Sequence, residues 1–104
     1  MAKFILVYHG GTMPETQEEG MKVMAQWQAW LGGMGDAVVD AGNPVGLSST
    51  VHSNGSVTAD GGANPVSGYS IISADDLDAA TALAKGCPVF EAAGSVEVAE
   101  LMEM

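Results

Sequence analysis

The chain has few of the residues that form disulfides, bind polyanions or cross membranes. Its 104 residues include one cysteine, Cys87, so no bridge can close within the chain. A reducing compartment suits a lone thiol, and the cytoplasm is the expected location. Lysine and arginine together number 3 against 13 aspartates and glutamates, a net charge of −10. Binding nucleic acid or an anionic membrane surface requires cations that neutralise phosphate, so neither is an expected partner. In the run Met1 to Gly11 the only apolar stretch is Phe4 to Tyr8. That is too short for the apolar part of a signal peptide and far too short for a membrane span. The two histidines, His9 and His52, lie in different predicted elements and share no metal-ligand spacing with each other or with Cys87. No structural metal and no cofactor are expected.

What remains is a chain of 47% apolar and 15% charged residues, long enough to fold around its own core as one domain spanning 1–104. Phe4 to Tyr8 reads as an interior strand covered on both faces, ended by Gly10, Gly11 and Pro14. Thr16 and Glu19 form a capping-box pattern, and Glu15, Glu18 and Glu19 suit the positive end of a helix. Val23, Met24, Trp27, Trp30, Leu31 and Met34 recur at helical spacing, so the helix is predicted to end near Met34. Val38 and Val39 form a short strand stopped by Ala41-Gly42-Asn43-Pro44. Leu47 to His52 and Ser56 to Ala59 flank Ser53-Asn54-Gly55 as a hairpin. After the loop Asp60 to Pro65, a strand over Tyr69 to Ile72 precedes a helix. That helix is predicted to be capped by a box of Ser73 and Asp76, with Leu77, Ala80, Leu83 and Ala84 inward. Cys87 to Phe90 is a connector, and Ser95 to Met102 closes as a strand.

With the hairpin set aside the order is β-α-β-β-α-β, the ferredoxin-like order of an α+β sandwich. Its helices cover one face of the sheet, yet these strands carry apolar residues on both sides. A second copy packed sheet to sheet would bury the other side, so a homodimer is expected.

Four segments carry a family resemblance: Lys3-Phe4-Ile5-Leu6-Val7-Tyr8, Val39-Asp40-Ala41-Gly42-Asn43-Pro44, Gly68-Tyr69-Ser70-Ile71-Ile72 and Gly94-Ser95-Val96-Glu97-Val98. Together they resemble the YCII-related family along essentially the whole chain. The loop Asp60-Gly61-Gly62 is similar to that of its DGPF-type branch. The resemblance implies a ferredoxin-like fold of the dimeric α+β-barrel type. Related barrels include cofactor-free monooxygenases, isomerases and lyases that use a pocket between sheet and helices. One branch of the family places a histidine in the first helix and an aspartate in an Asp-Pro dipeptide after the second. Here Gln17 to Met34 contains no histidine, and the dipeptide before the last strand is Cys87-Pro88. The His–Asp mechanism does not carry over.

His9, at the end of the first strand, is a candidate general base because imidazole titrates near neutrality. The plainer reading is a solvated or singly bonded ring, as for His52. Asp40 could orient His9 or a substrate, against the ordinary fate of a strand-end acid, which is solvation. Tyr69 completes a candidate catalytic set. Tyr8, Trp27, Asn43 and Cys87 are candidate ligand-binding residues, although Tyr8 and Trp27 equally suit core packing and Asn43 a turn. Cys87 follows a helix C-terminus, which is electronegative, and reads as a buried, inert thiol. Three functions compete on these residues: a cofactor-free enzyme acting on a small molecule, a non-catalytic small-molecule-binding module, and a dimerisation domain whose interior is filled by Trp27, Trp30 and methionines.

Overall fold

A computed structural model describes residues 1–103. Six strands and two α-helices follow one another as β1 (Ala2–His9), α1 (Gln17–Met34), β2 (Val38–Asp40), β3 (Thr50–Val51), β4 (Val57–Thr58), β5 (Val66–Ala74), α2 (Leu77–Ala84) and β6 (Ser95–Glu100). The four longer-range strands form one sheet in the order β2-β5-β1-β6, while β3 and β4 pair apart from it. Every adjacent pair in the main sheet is antiparallel. With the small hairpin removed, this is the ferredoxin-like α+β arrangement the sequence pointed to.

Side chains alternate between faces along a strand, and that alternation places the core. On β1, Phe4 and Leu6 are fully buried and Tyr8 nearly so. Their cross-strand neighbours Ile72, Ser70 and Gly68 on β5 are buried on the same face. Ala80 and Ala84 of α2, with Cys87 and Val89 beyond it, close over that face. Ile5, Val7, Tyr69 and Ile71 alternate to the other face and are only half-buried. The expected strand covered on both sides is therefore covered on one within this chain. The outline agrees: the molecule is a slab of 43 × 43 × 18 Å. Its radius of gyration of 15.0 Å exceeds the roughly 13 Å of a compact chain of this length.

The first helix starts where its cap predicts. Thr16 Oγ1 accepts the Glu19 N–H at 3.1 Å, and Glu19 reaches back to the Glu15 N–H at 3.1 Å rather than to that of the cap itself. The second helix is capped differently from expectation. Ser73 is held in β5 opposite Lys3, so strand pairing takes it. Asp76 becomes the cap, accepting the Ala79 N–H at 2.8 Å. Leu77, expected inward, is half-exposed in the first turn, and the helix faces the sheet with its alanines. The hairpin is shorter than the two predicted runs, two residues a side. Its residues are almost all exposed, and a two-stranded ribbon with no buried face propagates poorly. The predicted connector after Cys87 forms a short 3₁₀ helix, Pro88–Ala92.

One glycine fixes how β2 leaves the sheet. Gly42 adopts φ +75°, and an added Cβ would collide with the Tyr69 carbonyl oxygen. Gly42→Ala should therefore lower stability by about 2 kcal/mol or more, from the left-handed backbone alone and the clash besides. Gly33 in α1 has open space around its Cβ position. Gly33→Ala should leave stability unchanged or raise it by up to about 1 kcal/mol. Urea unfolding of both variants checks the pair, and equal midpoints would contradict it.

Candidate functional site

The inward face of β1 ends at Tyr8, opposite Gly68. A Cβ on residue 68 would approach the Tyr8 ring to 3.3 Å, so glycine leaves the ring room to lie along the sheet. Its hydroxyl donates to Ser70 Oγ at 2.7 Å, and Ser70 donates in turn to the Ala41 carbonyl at 2.7 Å. The turn that carries Ala41 is fixed locally. Asp40 Oδ1 accepts the Gly42 N–H at 2.8 Å, the Asn43 carbonyl accepts the Tyr69 N–H at 3.3 Å, and Pro44 bridges to Gly68.

Helix α1 forms a roof that is anchored at one end only. The Trp30 indole N–H donates to the Leu83 carbonyl at 3.1 Å, tying the C-terminal half to α2. Trp27 meets Tyr8 edge-on with ring centres 4.7 Å apart, and Trp30 meets Trp27 in the same manner at 5.7 Å. No residue of α1 is fully buried, and Val23 and Met24 in its first half are exposed. Between that half and the sheet lies a cavity of about 930 Å³, bordered by Tyr8, Val23, Trp27, Asn43, Ser70 and Val89. Small-molecule sites typically measure about 300–1,000 Å³. Trp27, Met13 and Met24 border this space without filling it.

Burial governs the two acidic protons beside this core. Removal from water pushes the Tyr8 phenol up to about 12, with the Ser70 hydrogen bond offsetting part of the effect. Burial likewise pushes the Cys87 thiol up to about 11, against the lowering effect of the Val89 N–H. Both groups hold their protons at neutral pH, and neither is a ready base or nucleophile.

The residues singled out from sequence fall in three places. Tyr8, Trp27 and Asn43 border the cavity together. Tyr69 also borders it, between Gly68 and Ser70, but strand alternation sends its ring to the opposite face. His9 stands on that opposite face as well. Its Nδ1 lies 3.2 Å from the Pro65 carbonyl and its Nε2 3.1 Å from Glu97 Oε1, and Glu97 is paired with Val7. Asp40 is occupied with its own turn. Neither His9 nor Asp40 borders the cavity, and Cys87 lies under a separate, smaller cleft of about 440 Å³ beside Trp30. Among the described residues no three of His, Cys, Asp and Glu converge as metal ligands.

Sequence reasoning passed over Ser70, which was read only as part of a strand. The available signal was its position: a serine between Gly68 and Ile72, the one polar side chain on the inward register of the strand. Val23 and Met24 belong to the apolar stripe that the sequence shows, but helical spacing gives a shared face and not how far that face stands from the sheet.

Against known proteins, the family model for the YCII-related domain matches residues 1–104. No curated protein matches the chain.

Alkaline titration tests the buried phenol. In a Tyr69→Phe variant Tyr8 is the sole phenol, and its absorbance should change near pH 12 rather than near 10. The sign of the linkage follows. The folded state holds the Tyr8 proton to a higher pH than the unfolded chain does, so stability falls between about pH 10 and 12 and levels off above. A phenol that titrates at the ordinary value in the folded protein would contradict the burial.

Proposed function

The chain belongs to the YCII-related domain family, and within it we propose that this protein binds a small, largely apolar molecule under α1. One observation carries the reading. The apolar stripe of α1 does not close on the sheet, and Val23, Met24 and Trp27 border about 930 Å³ of open space above Tyr8 and Ser70. Apolar side chains facing a cavity with a few fixed polar groups are the usual makings of a small-molecule site.

Binding is favoured over turnover because the sequence's candidate acid–base groups are engaged elsewhere. His9 is held by Pro65 and Glu97 away from the cavity, and Asp40 by Gly42. The protons of Tyr8 and Cys87 ionise far above neutrality. An isomerase, lyase or oxygenase-like reaction is the second reading, supported only by the company of related barrels.

We also propose that two copies pair through the uncovered sheet face, where Ile5, Val7, Tyr69 and Ile71 are half-buried in a slab 18 Å thick. Among the described residues no helix is long and apolar enough to cross a membrane. A single buried thiol and an acidic surface favour the cytoplasm.

The fluorescent apolar probe N-phenylnaphthylamine tests the pocket. It should bind saturably, Trp27→Ala should weaken it about tenfold, and His9→Ala should leave it unchanged. Absence of saturable binding, or equal effects of the two variants, would overturn the reading. For the dimer, sedimentation equilibrium should give twice the chain mass, and Ile71→Glu should give the monomer. A monomeric parent protein at micromolar concentration would refute pairing.

A further inference from the structure

The hydrogen bonds below the cavity run in one direction. The Ala41 carbonyl has no proton, so the 2.7 Å contact with Ser70 uses the single proton of the serine hydroxyl. Ser70 can then only accept from Tyr8, and the second 2.7 Å contact uses the single proton of the phenol. Each hydroxyl has one proton to give, and in this chain both are spent toward Ala41. Tyr8 is among the residues that border the cavity, and its hydroxyl keeps lone pairs but has no proton left to give.

Two further features act in the same sense. Tyr8 and Trp27, in edge-to-face contact with ring centres 4.7 Å apart, both border the cavity, and aromatic faces attract cations. The charged residues bordering the cavity are Glu15, Glu19 and Glu91 against Lys22, three negative charges to one positive. The whole chain carries −10, which adds to the attraction for a cation and repels an anion.

From this directionality, and resting on the reading of the cavity as a small-molecule site, we propose that the ligand is an apolar amine. Its N–H donates to Tyr8 Oη while its hydrocarbon body lies against Trp27 and Val23. A carboxylate of the same body would set its lone pairs against those of Tyr8 and its charge against the acidic rim.

Three indole compounds that differ in one substituent provide the test: tryptamine, neutral ethylindole and indoleacetate, each competing with N-phenylnaphthylamine at neutral pH. Tryptamine should displace the probe at least about tenfold more effectively than indoleacetate, with ethylindole between them. Tyr8→Phe removes the acceptor and should bring tryptamine close to ethylindole. Ser70→Ala works in the opposite direction. It frees the Tyr8 proton to point into the cavity, so indoleacetate should gain on tryptamine although no cavity charge has changed. A residue that merely supported the fold would weaken all three compounds alike. Indoleacetate binding as well as tryptamine in the parent protein would overturn the proposal. So would a preference for tryptamine that survives both substitutions undiminished. Failure of the probe itself to bind would instead remove the pocket reading on which the proposal rests.

Discussion

A central strand must send successive side chains to opposite faces of its sheet, and β1 is the strand on which the rest of this protein is arranged. Phe4, Leu6 and Tyr8 go to the face that α2 and the Pro88–Ala92 turn cover. Ile5 and Val7 go to the other face, where they are only half-buried among the described residues. Because β6 is registered residue for residue against β1, and β5 likewise from Ala2 to Tyr8 before a one-residue shift at His9, the same division passes to them. His9 follows Tyr8 by one residue and so ends on the far side of the sheet from the cavity. A one-residue difference in position separates the histidine from the pocket.

The second consequence of that division is the polar floor. On the covered face, β5 contributes Gly68, Ser70 and Ile72 in alternate positions. Gly68 admits the Tyr8 ring, and Ser70 is the one polar side chain at the end of an apolar row. A buried phenol without a partner would be costly, roughly 1–3 kcal/mol. The serine removes that cost and passes the proton's direction on to Ala41. Gly42 then allows the turn to approach β5 so closely that no side chain would fit between them. Packing and hydrogen-bond polarity at this end of the sheet are set by Gly42, Gly68 and Ser70.

Helix α1 shows where the one-dimensional pattern and the three-dimensional result part. Its stripe from Val23 to Met34 is apolar throughout, and its cap and its end at Met34 stand where the sequence placed them. Only the Trp30 end is fastened, by an indole hydrogen bond to a carbonyl of α2. The free end stands off the sheet and overhangs an open cleft. A hydrophobic period gives direction around the helix axis but carries no information about distance from the neighbour. Similarly, Ser73 matched a capping box as well as Asp76 matched a cap, and the choice fell to strand pairing with Lys3, 70 residues of chain away.

The sequence alone determined the element order, the bounds of the first helix and the ferredoxin-like arrangement, because these follow from local turns, caps and hydrophobic periods. It also determined the charge that disfavours phosphate partners. The tertiary structure decided which candidates share a space. It gathered Tyr8, Trp27 and Asn43 around one cavity, added Ser70, and sent His9 and Asp40 elsewhere. That choice depends on strand register and on where a helix is anchored, and both are set by contacts between residues far apart in the chain.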